Sequence, residues 1–215
     1  MLNRKTRYIQ IALNGTINDA FGIIHSLPKS NRILVEAGTP LIKTYGMQGI
    51  KNIKNWWGGY VVADLKVMDR GETEVIIAKQ AGADALVALG HAPVETINSF
   101  IASCERYGLD SMLDLMNVEE PLKVLRKLKK MPNVVMLHRG VDETEFNRNI
   151  PIPYIQINKV RASYNTLISI AGGDTIREVQ RAIFNDANIV VVWKEFYQAT
   201  ADTGKLAEEF LKAIK

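Results

Sequence analysis

The sequence predicts a single-domain (β/α)8 TIM barrel with parallel strands, formed by residues 1–215. Strand-like and helix-like patterns alternate along the chain, and this alternation is typical of a parallel sheet. Eight strand patterns occur in 215 residues, which is about 27 residues for each unit and the size of a compact βα repeat. No Gly/Ser-rich or Pro-rich linker interrupts the chain, so we expect one domain.

The eight predicted strands are apolar runs rich in Val and Ile, a composition typical of parallel strands that are buried on both faces. In chain order they read YIQIALN, RILVEAG, YVVADLK, ALVALG, SMLDLM, VVMLHRG, LISIAGG and NIVVVWK, and they cover residues 8–14, 32–38, 60–66, 85–90, 111–116, 134–140, 167–173 and 188–194. Eight such strands favour a closed barrel. An open doubly wound sheet is the alternative, but no G-x-G-x-x-G follows the first strand.

Helical patterns lie between the strands. The clearest are GETEVIIAKQAGA, VEEPLKVLRKLKKM and DTIREVQRAIFNDA, in which apolar residues recur at helical spacing. The segment 151–165 contains two prolines and has little amphipathicity, so we do not expect a long helix there.

The charge pattern argues against a nucleic-acid partner. The formal net charge is only +4, and the basic residues are scattered apart from one cluster. That cluster comprises Lys123, Arg126, Lys127, Lys129 and Lys130. We interpret it as the solvated polar face of a helix rather than a nucleic-acid patch.

The cysteine content and the N-terminus predict a cytoplasmic protein. Cys104 is the single cysteine, which excludes an internal disulfide framework and fits a reducing compartment. The first apolar run ends at Asn14 and is too short for a signal peptide. No window approaches the length of a membrane span, so we expect no membrane partner.

The third strand carries charged residues at its far end, in the stretch VVADLKVMDRG. Side chains alternate along a strand, so Asp64 and Lys66 share the face of Val62 that points into a barrel. They would lie at the C-terminal mouth, where barrel enzymes hold their reacting groups. Asp69 follows in the loop. This D-x-K-x-x-D spacing predicts a functional site at the mouth.

Polar residues also end the other strands. They are Asn14, Glu36, His91, Asp114, His138, Gly172, Gly173 and Lys194. Any one of them fits an ordinary polar loop. Glu36 and Asp64, however, fall inside strand patterns, where a carboxylate is costly unless it is paired or bound to a metal ion. We interpret these two residues with Lys66 as a functional site, with a structural ion-pair cluster as the alternative.

Several motifs in this order resemble the orotidine monophosphate decarboxylase superfamily. They are VEAGTPLIKTYGM, VVADLKVMDRGETE, AGADALVALG, LDLMNVEEP, LHRGVDE and IAGGD, and they extend along most of the chain. The combination of E-A-G-T-P with A-D-x-K-x-x-D is similar to the branch (HUMPS) that contains 3-hexulose-6-phosphate synthase and 3-keto-L-gulonate-6-phosphate decarboxylase. The archaeal form of the synthase is the most similar in pattern.

The resemblance implies a Mg2+-dependent lyase that acts on a sugar phosphate through a 1,2-enediolate. By position, Glu36 and Asp64 match the metal-binding carboxylates, and Lys66 matches the lysine that stabilises charge near the enediolate. Asp69 matches a carboxylate supplied across a homodimer interface, and His138 matches the histidine that moves protons. The chemistry agrees, because Mg2+ prefers oxygen ligands and an ammonium stabilises developing negative charge.

The same resemblance assigns substrate and phosphate binding to Asn14, Gly172, Gly173 and Lys194. Gly172 and Gly173 would form half of a backbone cradle for phosphate. Asn14 departs from the aspartate that usually ends the first strand of the family, and an amide cannot hold a lysine by charge.

The last strand also departs from the family pattern. Trp193 and Lys194, followed by Glu195, stand where the family has a Gly-Gly or Gly-Arg pair. Trp193 puts a bulky side chain where the backbone would approach a phosphate. Lys194 could replace the lost contacts as a point charge, whereas Glu195 is unfavourable beside an anion.

The predicted reaction is the condensation of formaldehyde with ribulose 5-phosphate or its reverse, an aldehyde-lyase activity. One alternative is a related decarboxylase (carboxy-lyase) or isomerase with a different or unphosphorylated substrate. Another is a catalytically silent homologue that binds a metabolite or a protein partner, since fold alone does not determine function. Orotidine monophosphate decarboxylation is disfavoured, because those sites have a lysine in place of Glu36 and need no metal.

Overall fold

Eight parallel strands close into a barrel in the computed structural model of the chain, which describes residues 1–146, 154–173, 175–198 and 202–215. The strands are β1 Tyr8–Leu13, β2 Ile33–Ala37, β3 Val61–Val67, β4 Ala85–Leu89, β5 Asp110–Asp114, β6 Val134–His138, β7 Leu167–Ala171 and β8 Ile189–Val192. Each strand pairs with the next, and β8 pairs with β1. The predicted (β/α)8 barrel is confirmed, and the open sheet is excluded.

Helices surround the barrel. They are α1 Ile17–Ser26, α2 Thr39–Trp57, α3 Gly71–Gln80, α4 Val94–Tyr107, α5 Pro121–Leu125, α6 Val141–Phe146, α7 Tyr154–Ser163, α8 Ile176–Phe184, α9 Lys194–Gln198 and α10 Thr203–Ala213. Two of them begin with a capping box, in which Thr16 pairs with Asp19 and Thr175 pairs with Glu178.

Alternation along the strands creates two apolar layers. In β1, Ile9 and Ile11 pack outward in the large cluster between the strands and the helices. Tyr8 and Ala12 belong to a second cluster that fills the barrel interior. Gln10 lies between them in sequence and shares their inward face. The strand ends therefore direct alternate side chains into the mouth of the barrel.

The helix predicted from VEEPLKVLRKLKKM is shorter than its pattern. α5 ends at Leu125, so only Lys123 of the basic cluster lies on a helix and the predicted helix face is wrong, but all five basic residues are exposed, as the interpretation of a solvated surface requires. The following residues turn so that Leu128 and Met131 pack against the core, and the Lys129 backbone N–H donates to Asn98 Oδ1 of α4 at 2.9 Å. Tertiary packing here overrides the local helical pattern.

The segment 151–165, in which no long helix was expected, does contain a helix. Residues 151–153 lie outside the described residues, but α7 forms a helix of ten residues from Tyr154 to Ser163. It buries Ile157 and Val160 against the barrel. Tyr154 also packs against the same apolar cluster, so tertiary contacts support a helix whose sequence has little amphipathicity.

The described residues contain no helix that combines the length and the apolar character needed to cross a bilayer. Cys104 is a buried free thiol in α4, and burial raises its pKa. The cytoplasmic location stays a prediction.

The space around two helical glycines shows how closely their helices pack against neighbours. A Cβ at Gly71 would lie 2.9 Å from the Phe100 nitrogen and 2.9 Å from the Thr96 oxygen, both backbone atoms of α4, whereas a Cβ at Gly22 would meet nothing within 4 Å. We expect Gly71→Ala to destabilise the fold by about 1–3 kcal/mol, because neither helix backbone can move freely. Gly22→Ala, the matched control in α1, should stabilise it by up to about 1 kcal/mol through helix propensity.

Thermal melting of both variants checks this prediction, with about 2–4 °C expected for each kcal/mol in a chain of this size. Equal melting temperatures for the two variants would contradict the close approach of α3 to α4.

Candidate active site

A cavity of about 960 Å³ occupies the C-terminal mouth of the barrel. Seven of the predicted site residues line it, namely Asn14, Glu36, Asp64, Lys66, His138, Gly172 and Lys194. Apolar side chains also contribute to its wall, among them Met116, Met136 and Val191. The cavity thus joins a charged group of side chains to a larger apolar surface.

Glu36 lies on β2 and is only 6% exposed. Gln10 of β1 donates a hydrogen bond from Nε2 to Glu36 Oε2 at 2.5 Å. Burial, together with the nearby charge of Asp64, raises the pKa of Glu36 from 4.5 to about 7. The carboxyl group therefore lies in surroundings that favour a neutralising proton or a bound cation.

Asp64 lies on the neighbouring strand β3 and is 7% exposed. The Thr39 hydroxyl, at the start of α2, lies 2.8 Å from both the Asp64 carbonyl and its Oδ2. Lys66 Nζ is 3.0 Å from the same Oδ2. The other carboxylate oxygen, Oδ1, is buried and has no hydrogen-bond partner in the described part of the chain. One oxygen is held in place, and the other needs a partner.

Lys66 occupies an irregular position on β3. The pairing of β3 with β4 shifts between Ala63 and Val67, and Lys66 has a φ of 48°, in the left-handed region that non-glycine residues seldom adopt. Its ammonium contacts Asp64 Oδ2 and Asp114 Oδ2, the latter at 3.1 Å. Burial alone would lower the pKa of Lys66, but the two carboxylates raise it above its ordinary value. Lys66 is therefore a permanent cation.

Asp114, at the end of β5, is the site residue that sequence reasoning did not select. It is fully buried, and its Oδ2 contacts His138 Nδ1 at 2.8 Å as well as Lys66. Its Oδ1 accepts from the Met116 backbone N–H at 2.9 Å. Burial opposes its ionisation, yet His138 and Lys66 lower the pKa of Asp114. The available signal was a carboxylate inside the apolar run SMLDLM, the same signal that identified Asp64.

The ring of His138 is oriented by Asp114. A neutral imidazole that donates from Nδ1 to a carboxylate keeps Nε2 as its unprotonated nitrogen. Because His138 lines the cavity, Nε2 is the atom that can take up or release a proton there. His91, by contrast, is exposed, and its Nε2 lies 3.1 Å from the Met116 carbonyl oxygen.

Asp69 does not join this cluster within its own chain. It is exposed and does not line the cavity. The N-cap position of α3 is Arg70, with a φ of 52°, and no side chain caps that helix. Asp69, directly before Arg70, therefore does not cap this helix.

Two glycines follow β7, and of these only Gly172 lines the cavity. Gly172 lines it with a φ of 98°, and the Gly172 carbonyl accepts from Arg139 Nη2 at 2.7 Å. The Arg139 backbone oxygen lies where a Cβ on residue 172 would be, so only glycine fits. Gly173 is buried and is not part of the cavity wall.

Trp193 and Lys194 form the wall contributed by the end of β8. The Lys194 ammonium lies 5.5 Å from the centre of the Trp193 ring and 3.3 Å from Glu145 Oε1 of α6. Both residues line the cavity.

The acidic pair Glu36 and Asp64 fits a Mg2+ ion that has only two protein ligands. Among the described residues, no group of three or more His, Cys, Asp or Glu side chains could hold a metal ion. Mg2+ commonly binds through one or two carboxylates and takes its remaining ligands from water and substrate. The buried Oδ1 of Asp64, which lacks a partner, and the adjacent open cavity meet that requirement.

A closed parallel barrel with charged groups at the C-terminal ends of its strands defines the class of (β/α)8-barrel proteins with an enzyme-like site. The chain belongs to the orotidine 5'-phosphate decarboxylase / HUMPS family, whose model matches residues 7–209. The resemblance noted from the sequence motifs is thereby confirmed, and the homologues are enzymes.

Curated relatives support the same family. The chain is 37% identical over 208 residues to the bifunctional enzyme Fae/Hps of Methanocaldococcus jannaschii and 35% identical over 215 residues to that of Methanocella arvoryzae. These matches cover 96% and 97% of the chain but only 52% and 53% of the relatives. The chain therefore spans about half the length of the curated relatives it matches.

Solved structures match nearly all of the chain. A 3-hexulose-6-phosphate synthase from Salmonella typhimurium superposes with a TM-score of 0.87 at 25% identity, covering 96% of this chain and 98% of the synthase. A 3-keto-L-gulonate-6-phosphate decarboxylase from Vibrio cholerae superposes with a TM-score of 0.82 at 19% identity, covering 97% of both chains. The second likeness shows the fold alone.

The raised pKa of Glu36 predicts how stability depends on pH. A carboxyl group with a raised pKa in the fold binds its proton more tightly there than in the unfolded chain. Its contribution to stability is therefore greatest below pH 4.5 and is lost as the pH rises to about 7. Glu36→Gln removes this loss, so we expect its stability relative to wild type to grow by about 2 kcal/mol from pH 5 to pH 8.

Thermal melts in EDTA at both pH values measure this difference. Glu208→Gln, at an exposed position on α10, serves as the matched control. A gain that is the same at pH 5 and pH 8 would show that Glu36 does not titrate in this range.

Proposed function

We propose that this protein is a Mg2+-dependent lyase that joins formaldehyde to ribulose 5-phosphate, or catalyses the reverse cleavage, through a 1,2-enediolate. The observation that carries the proposal is the contact chain Asp64–Lys66–Asp114–His138 beside Glu36, at the mouth of the barrel. The relatives support the substrate class, because one solved neighbour is a 3-hexulose-6-phosphate synthase at 25% identity and the curated relatives include Hps in their names.

Each residue has a defined task in this reaction. Glu36 and Asp64 would hold Mg2+, which supplies positive charge to the neighbouring oxygens of the sugar when it is bound. His138 Nε2 takes the proton from the C1 carbon of the ketose, and the electron pair of that C–H bond enters the enediolate. Lys66 stabilises the negative charge that develops.

The carbon–carbon bond then forms between C1 of the enediolate and the formaldehyde carbon. The carbonyl π electrons of formaldehyde move to its oxygen, which takes up a proton to become the new hydroxyl group. No electrons are gained or lost overall, and the sequence of events is reversible. Asp114 contributes by holding both Lys66 and His138 in position.

The phosphate would lie at the opposite side of the cavity, near Gly172 and Lys194. Lys194 supplies a positive charge, and it would exchange its contact with Glu145 for the phosphate. Gly173 and Asn14 remain proposed members of the substrate region.

A different substrate is the second candidate, and Trp193 favours it. Trp193 stands where the family has a glycine and leaves less room for a phosphate, so it favours a related decarboxylase or isomerase with a different or unphosphorylated substrate. A catalytically silent homologue remains the other alternative. A panel of phosphorylated ketoses and keto acids, assayed with and without Mg2+, separates these possibilities.

Kinetic variants test the two ends of the site. With Mg2+ present, Lys66→Met should lower kcat by about 10²–10³-fold, because it removes charge stabilisation from the transition state. Lys194→Met should mainly raise KM for ribulose 5-phosphate, because it removes binding that is the same in the ground and transition states. EDTA should abolish the activity of the wild type, and added Mg2+ should restore it. Full activity of the wild type in EDTA would contradict the metal proposal.

We further propose a homodimer in which Asp69 enters the site of the neighbouring subunit. Glu36→Gln and Asp69→Asn subunits, each inactive alone, should recover about a quarter of the wild-type activity when refolded together in equal amounts, because half of the dimers then contain one intact site. Mixing Glu36→Gln with Lys66→Met is the matched control and should recover nothing, since both residues serve their own subunit. Absence of recovery in the first mixture, with subunit exchange demonstrated, would show that Asp69 acts within its own chain.

A further inference from the structure

Gln10 is a buried polar side chain for which the packing of the barrel gives no reason. It lies on β1, is fully buried, and faces the barrel interior together with Tyr8 and Ala12. In the strand pairing its neighbours are Leu34 of β2 and Val191 of β8, both apolar. An apolar side chain at position 10 would match this layer.

The two ends of the Gln10 amide differ in their contacts. Nε2 donates to Glu36 Oε2, while the amide oxygen Oε1 is buried without a hydrogen-bond partner among the described residues. A buried acceptor in this state is unfavourable for folding. The position therefore retains an amide at a cost to the fold, and the one contact that uses it is the contact with Glu36.

That contact determines how Glu36 presents its carboxylate. Glu36 lies one inward position closer to the mouth than Gln10, since Ala12 is the β1 neighbour of Glu36. Gln10 holds the Oε2 atom of Glu36. No described protein group forms a hydrogen bond with the other oxygen, Oε1. Glu36 itself lines the cavity. An amide donor achieves this without adding a charge that would compete with a cation.

We propose that Gln10 is a positioning residue that orients Glu36 so that Oε1 is available to a divalent metal ion. The inference rests on the proposed function, because Glu36 is the metal-binding carboxylate in that proposal. Hydrogen-bonding partners behind metal ligands commonly change metal affinity by about 10–100-fold when they are removed.

The test measures metal affinity and stability separately. Mn2+ is the probe, and its free concentration is followed by electron paramagnetic resonance as the protein is titrated. In Gln10→Leu we expect the Kd for Mn2+ to rise at least about tenfold. In the same variant, the melting temperature in EDTA should stay close to that of the wild type, because the gain from removing the unpaired amide oxygen opposes the cost of leaving Glu36 Oε2 without its donor. A purely structural glutamine would instead lower the melting temperature and leave the Kd unchanged.

Two further variants complete the design. Ser169→Ala is the matched control. Ser169 on β7 is also fully buried, its side-chain oxygen has no hydrogen-bond partner within the described ranges, and it does not contact Glu36 through a hydrogen bond. Its Kd should equal that of the wild type. Gln10→Met has nearly the length of glutamine without its donor, and it should reproduce the weaker Mn2+ binding if the leucine variant does not fold.

The outcomes separate this inference from the proposed function. A wild type that binds Mn2+ and Gln10 variants with the same Kd would overturn the role of Gln10 alone. Failure of both Gln10 variants to fold would also overturn it, because the amide would then serve the fold. A wild type with no Mn2+ binding would overturn the metal proposal itself, and this inference with it.

Discussion

The rest of the site depends on the contacts that the buried carboxylate of Asp114 makes with Lys66 and His138. Glu36, Asp64 and Asp114 bring three acidic groups to one end of the barrel, where the ammonium of Lys66 contacts two of them. Asp114 contacts both Lys66 and His138, so it holds these two side chains in place at the mouth of the barrel. Lys66 contacts Asp64 and Asp114 directly, and its charge only partly offsets the effects that raise the pKa of Glu36. Burial, together with the charge of Asp64, raises the pKa of Glu36, and these surroundings favour a proton or a cation at its carboxylate.

The backbone contributes to this arrangement at a cost. Lys66 follows an irregular pairing between β3 and β4 and has a left-handed φ, a conformation that costs energy for a residue with a Cβ. The irregularity lets β3 direct Asp64 and Lys66 so that their charged atoms meet at 3.0 Å while Lys66 also reaches β5. Strain at Lys66 is therefore compensated by two ion pairs with buried carboxylates. A regular strand would separate these groups along the inward face by a full two-residue repeat.

The sequence was sufficient for the barrel and for part of the site, because both depend on local patterns. Strand spacing predicts the eight units, and carboxylates inside strand patterns identify Glu36 and Asp64. The hydrogen bonds of Asp114 and Gln10 were not predictable in this way, since they depend on which side chains meet across the barrel interior. The short α5 has a similar explanation, because Asn98 of a different helix binds the chain just beyond it. Whether Asp69 reaches another subunit depends on a surface that one chain does not contain.

Closure of the barrel between β1 and β8 has a consequence for synthesis on the ribosome. The first strand can complete its hydrogen bonding only after the last strand has emerged, because Ile9 pairs with Val190. Until then β1 exposes an unpaired edge, and pairings between such distant segments form slowly. The acidic groups of β2, β3 and β5 can assemble earlier, whereas the wall built by Trp193 and Lys194 arrives last. A nascent chain would thus carry a partly formed acidic site before it has an enclosed cavity, and the synthesis of β8 is the step that allows the barrel to close.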